Sequence, residues 1–206
     1  MEKLCVERQD LVNRGYWRRV YRHPHRRGLC VKTPRRGGRN TRYLRRELSG
    51  WKNLEASGCD MSRLPTFHGC VETQFGVSSV WELISCANDR VAPPLDTALH
   101  LGLVNIDHCR ARLRSFGDWM IANGVIGSDL KLSNLVCRFD RRGDFELVFV
   151  DGWENSELVP VSSWSPLLRQ QKVQRRWKRF LEKFERYLVE GPDCPAWQVH
   201  RKRLAA

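Results

Sequence analysis

Between Gly127 and Trp153 the sequence sets two short polar loops at the ends of two β-favouring runs, and this spacing limits what the chain can become more than any other feature. G-S-D-L-K-L-S-N occupies 127–134 and is followed by the apolar run L-V-C-R-F. D-R-R-G-D then supplies a turn, and F-E-L-V-F-V reads as a second strand pairing back on the first before V-D-G-W at 150–153. Asp129 and Asp151 therefore fall at strand ends.

The N-terminal third carries its own constraint. Tyr16–Arg22 and Leu29–Thr33 are short β-favouring runs on either side of H-P-H-R-R-G, which predicts a hairpin. After the breaker P-R-R-G-G-R-N, Leu44, Leu48, Trp51 and Leu54 recur at helical spacing and gather on one face. Glu47 lies inside that apolar arc. A carboxylate turned toward a core is costly unless a cation meets it, so the helix predicts a buried partner, and Lys32 in the apolar run L-C-V-K is the natural one. V-S-S-V-W-E-L-I predicts a further strand, 92–97 a linker, Asp107–Asn123 a helix stopped at Asn123-Gly124, and Trp177, Phe180, Leu181, Phe184 and Leu188 a final amphipathic helix. The linker divides the chain into 1–91 and 92–206.

Composition narrows the function classes. The net charge of +13 is uneven: residues 1–50 carry +11, residues 51–168 carry −5, and 169–186 carry +6. Arginines interleaved with Tyr16, Trp17, Tyr21 and Tyr43 are what a nucleic-acid binder would show, but charge runs are more often solvated surface, and a polyphosphate or anionic membrane surface calls for the same residues. The eight cysteines stand at least eleven residues apart with no C-x-x-C, which argues for reduced thiols, several in the core, over a zinc site or disulfide framework. No run reaches the length of an integral membrane segment, and the N-terminus has acids where a signal peptide needs an apolar core, so the expected location is cytoplasmic.

Phosphoryl transfer from a nucleotide needs carboxylate and carboxamide oxygens to hold Mg²⁺, a carboxylate beside the acceptor hydroxyl, and cations on the phosphates. The two loops can supply them. Asp129 would take or orient the acceptor proton, Lys131 would balance charge on the phosphoryl group, and Asn134 with Asp151 would hold Mg²⁺. Lys32, fixed by Glu47, would contact the α and β phosphates of ATP.

D-L-K-L-S-N followed by D-G-W, with an upstream Lys and helix Glu, resembles the protein-kinase-like superfamily, whose loop is H-R-D-x-x-x-x-N and whose metal motif is D-F-G. More narrowly, R-G-Y-W-R-R-V-Y-R-H-P, R-R-E-L, L-P-T-F-H-G-C-V-E-T, D-L-K-L-S-N-L-V-C and L-V-P-V-S-S-W-S-P with R-R-W-K-R-F resemble the PhoP regulatory network protein YrbL family over about residues 14 to 180. The resemblance implies an α+β, protein-kinase-like bilobal fold, with a small antiparallel β-sheet N-lobe and a truncated, mainly helical C-lobe. In such a fold Glu82 of W-E-L-I either presents backbone groups to adenine at the interlobe hinge or is an ordinary strand residue.

Departures from the superfamily pattern define the competing readings. The glycine-rich phosphate loop is reduced to N-R-G-Y-W-R-R-V, in which only Gly15 remains, so phosphate would be gripped by Arg14, Arg18 or Arg19 in place of backbone amides. Gly127-Ser128 replaces the His before the catalytic Asp, and no A-P-E follows Asp151, which argues against a protein substrate and for a hydroxyl-bearing small molecule or sugar, for which an anionic group would suit the basic surface. A pseudokinase that regulates a protein partner is the alternative, and a basic nucleic-acid-binding protein the second.

Overall fold

The computed structural model describes residues 3–15, 17–35, 42–153 and 166–191. Short runs of β-branched and aromatic residues build a five-stranded antiparallel sheet. Its strands are β1 (Leu11–Arg14), β2 (Arg18–Arg22), β3 (Leu29–Pro34), β4 (Phe67–Thr73) and β5 (Gly76–Glu82), in the order β1-β2-β3-β5-β4. The predicted hairpin is β2–β3, with Val20 opposite Lys32, and Lys32 faces Ser79 of β5 on its other side. Helix α1 (Arg42–Ala56) buries Glu47, Trp51 and Leu54, the arc the sequence marks, and Trp51 meets Trp81 of β5 edge to face at 6.1 Å.

The C-terminal part is mostly helical. It contains α2 (Leu95–His100), α3 (Ile106–Ala122), a two-stranded sheet of β6 (Leu135–Phe139) and β7 (Phe145–Phe149), and the long α4 (Pro166–Glu190). Asn105 caps α3 by accepting from the backbone N–H groups of Asp107 and His108 at 2.9 and 3.2 Å. Gly117 lets α4 approach, because a Cβ there would stand 2.3 Å from Trp177 Nε1. The architecture is thus α+β, with a sheet-bearing N-terminal region and a helix-rich C-terminal one. One continuous core runs through both, from Cys30, Trp51 and Trp81 to Phe116, Phe149, Trp177 and Phe184.

Three features differ from expectation. The linker assigned to 92–97 is shorter, because Leu95–Thr97 open α2, where Leu95 and Ala98 are fully buried. β4 is legible only in three dimensions: Gly69 at φ +108° sits in a register shift between Phe67 and Gly69, which breaks the period-two pattern. β1 is a four-residue edge strand, too short to announce itself. Among the described cysteines, Cys30, Cys109 and Cys137 are buried thiols, in line with the expectation of several in the core, and burial pushes Cys30 up to about 11. The block L-V-P-V-S-S-W-S, most of the breaker at 34–40 and Tyr16 lie outside the described residues. Among the described residues no helix is long and apolar enough to cross a membrane.

Candidate functional site

Lys32 comes from the middle of strand β3, whose first five residues are buried, so its largely buried ammonium must be satisfied locally. It donates to Glu47 Oε1 at 2.7 Å and to the Val150 carbonyl at 2.8 Å, and it lies 5.0 Å from the ring centroids of both Trp81 and Trp153. Glu47, 1% exposed, also accepts from Arg18 Nη1, while Ser79 Oγ stands 3.5 Å from Oε2. Arg18 spans the gap: its Nη2 donates to Asp151 Oδ1 at 2.6 Å. Lys32, Glu47, Arg18 and Asp151 therefore form one chain of charge linking β3, α1, β2 and the segment after β7.

These contacts set the protonation states. Partial removal from water raises the Asp151 carboxyl, but Arg18, and then Lys32, outweigh that and hold it below the usual carboxylate range. Desolvation likewise works against the Arg18 charge, and Asp151 with Glu47 more than offset it, raising its pKa. Both groups are ionised at neutral pH.

The other loop is strapped to this chain through backbone. Gly152 O accepts from Ser128 N at 2.7 Å, Asp129 N at 3.3 Å and Ser128 Oγ at 3.1 Å, and Val150 N donates to Asn134 O at 2.9 Å. Gly152 has φ +92°, and a Cβ would fall 2.9 Å from Asp129 Cβ, so the residue after Asp151 has to be glycine on both counts. Within the loop, Asp129 Oδ2 accepts from Lys131 Nζ at 2.6 Å and from Asn134 Nδ2 at 3.2 Å, and Asn134 Nδ2 also donates to Asp129 O at 2.8 Å.

Lys32, Glu47, Asp151, Asp129, Lys131 and Asn134 are thus joined in one connected neighbourhood. Two predicted residues add no side chain to it. Gly15 closes the turn between β1 and β2, donating its N–H to Arg18 O at 2.8 Å. Glu82 ends β5, where its N–H is spent on Thr66 O at 2.9 Å and its carboxylate accepts from Thr66 at 3.2 and 3.3 Å. The Glu82 carbonyl also receives the Cys30 thiol at 3.7 Å.

The bridging role of Arg18 is what sequence reasoning missed, and strand parity could have found it. Residues directly opposite in a sheet share a face. Val20 faces Lys32, so Arg18, two residues away, lies on the Lys32 side, whereas Arg19 pairs with Thr33 and with Arg14 on the opposite side. Of the three arginines in the loop, only Arg18 can reach Glu47.

Among the described residues no group of three or more His, Cys, Asp or Glu converges, so there is no all-protein metal cage. The donors present, one carboxylate and one carboxamide, suit a hard cation that keeps waters and takes its remaining ligands from a phosphate, as Mg²⁺ does. A positive charge already rests on Asp151 in the form of Arg18.

Compared with known proteins, residues 4–185 match the family described as PhoP regulatory network protein YrbL. Two curated relatives, each named uncharacterized protein YrbL, from Escherichia coli (strain K12) and Shigella flexneri, are 27% identical over 179 residues, covering 85% of this chain and 85% of each relative.

Proposed function

The chain belongs to the PhoP regulatory network protein YrbL family, and from that premise we propose a kinase-like phosphotransferase that binds ATP between an N-lobe of residues 1–91 and a C-lobe of residues 92–206. The γ-phosphoryl group passes to a hydroxyl of a small molecule or sugar: the bond from phosphorus to the β–γ bridging oxygen breaks, a bond to the acceptor oxygen forms, and ADP leaves. The observation that carries this reading is the joining of the Lys32–Glu47–Arg18–Asp151 chain to the Asp129–Asn134 loop through Gly152 O.

Each side chain then has a role. Lys32, held by Glu47, meets the α and β phosphates, and Asp129 accepts the acceptor proton as the new bond forms. Lys131, now paired with Asp129, turns to the transferring group and offsets its charge. Asn134 and Asp151 hold Mg²⁺, which when bound neutralises charge on the phosphates. Gly15 keeps the β1–β2 turn tight above the phosphates, and Glu82 borders the adenine end. The net basic surface favours an anionic acceptor.

A thermal-shift or calorimetric titration with ATP, with and without Mg²⁺, tests the assignment. Lys32→Ala and Asp151→Asn are expected to weaken Mg-ATP binding, whereas Asp129→Ala spares binding and abolishes phosphate transfer. Unchanged Mg-ATP affinity in Asp151→Asn removes the metal role. A second reading, a pseudokinase that responds to nucleotide and acts on a regulatory protein partner, is favoured by one observation: both aspartates are neutralised by the protein's own cations, Asp151 by Arg18 and Asp129 by Lys131. It predicts Mg-ATP binding without turnover.

A further inference from the structure

Arg18 occupies the position of the third glycine in a kinase-like phosphate loop, where a side chain has no place if phosphate is to lie against backbone. Its side chain is 17% exposed and sets Nη1 on Glu47 and Nη2 on Asp151. Glu47 already has a full counter-charge in Lys32 at 2.7 Å, so the charge of Arg18 is balanced by Asp151. Two cations and two carboxylates thus sum to zero as the protein stands.

We infer that Arg18 is an internal counter-cation that competes with divalent metal for Asp151, so that the site admits metal and polyphosphate together far better than either alone. The inference rests on the reading of Asp151 as a metal ligand and adds the regulation of that ligand. A divalent ion arriving alone adds two positive charges to a balanced cluster that already holds two cations, and it must displace a charge-assisted hydrogen bond of 2.6 Å. A polyphosphate arriving with it reverses that balance: Arg18 keeps Glu47, releases Asp151 to the metal, and turns its freed edge toward phosphate oxygens. Arginine suits this exchange because its planar fork can hold one anion while trading the other.

The test uses the full chain and two probes of opposite charge: Mn²⁺ alone, followed by electron paramagnetic resonance, and ATP in the presence of EDTA, followed by calorimetry. In Arg18→Gln, Mn²⁺ binding is expected to tighten about tenfold, the factor for a bridge closed in about nine molecules of ten, while metal-free ATP binds more weakly. Arg18→Lys, which keeps the charge and loses the fork, falls between. Adding Asp151→Asn to Arg18→Gln abolishes the gain for Mn²⁺. A merely structural Arg18 would move both probes in the same direction or neither.

If Arg18→Gln binds Mn²⁺ no better than the parent while Asp151→Asn weakens Mn²⁺ in both backgrounds, the competition is overturned and the metal reading stands. If Asp151→Asn changes Mn²⁺ binding in neither background, the metal reading falls and takes this inference with it. Should Arg18→Gln fail to fold, arginine side-chain NMR of the unaltered protein decides. Mg-ATP is expected to shift and broaden the Arg18 guanidinium signals; signals that stay fixed through a completed Mg-ATP titration, or a titration showing no binding, overturn the proposal.

Discussion

Glu47 is the residue on which most of the charge chemistry turns. It is almost completely buried and faces two cations, so neutralising it leaves Lys32 without its counter-charge where water cannot replace it, while Arg18 keeps Asp151. Glu47→Gln is expected to lower the stability to urea by about 3–5 kcal/mol, the usual range for breaking one side of a buried pair. Asp60 gives a pH-dependent case. The backbone N–H of Ser62 donates to its carboxylate at 2.9 Å and holds its pKa below the ordinary value. A depressed carboxyl contributes stability above the unfolded value of about 3.9 and loses it as pH falls through the folded one. The difference in thermal midpoint between the protein and Asp60→Asn should therefore be present at pH 7 and shrink on acidification below about pH 4. Among the site residues, the Lys32–Glu47 contact was readable from a carboxylate misplaced in an apolar arc. Arg18 was not singled out, because its position becomes meaningful only after the β2–β3 register fixes which arginine shares a face with Lys32.

At the scale of elements, legibility followed the strength of the periodic signal. α1, α3 and α4 have apolar stripes three or four residues apart, and β6–β7 has a turn composition between two apolar runs, so all of these stood out in the sequence. α2 did not, since two prolines ahead of a six-residue helix read as a linker until the burial of Leu95 and Ala98 is known. The docking of α4 onto α3 was also hidden, because it depends on what is missing from Gly117. Gly117→Ala would drive a methyl group into the Trp177 indole, and overpacking of this kind costs about 1–3 kcal/mol. A lowered urea midpoint with unchanged far-ultraviolet circular dichroism checks that outcome.

Over the whole molecule, the two regions share one apolar interior, even though the sequence suggests two units separated at residues 92–97. Trp81 of the sheet touches Trp153 at 5.4 Å, Trp153 touches Phe149 of β7 at 6.2 Å, and Phe149 meets Phe116 of α3 at 6.3 Å. An aromatic path of this kind couples unfolding of the halves. Tryptophan fluorescence and far-ultraviolet circular dichroism should report a single coincident transition in urea; two separated transitions would show that the halves melt independently. The four residues Val150–Trp153 make that coupling polar as well as apolar. The carbonyl of Val150, the carboxylate of Asp151 and the indole N–H of Trp153 reach toward Lys32, Arg18 and Glu47, while the N–H of Val150 and the carbonyl of Gly152 reach back to Asn134 and to the Ser128 and Asp129 amides. Because partners on both sides are met within four residues, inserting or deleting one residue there would move everything beyond it off its partner. Surface loops absorb changes of length, but in this segment the count of residues is itself fixed.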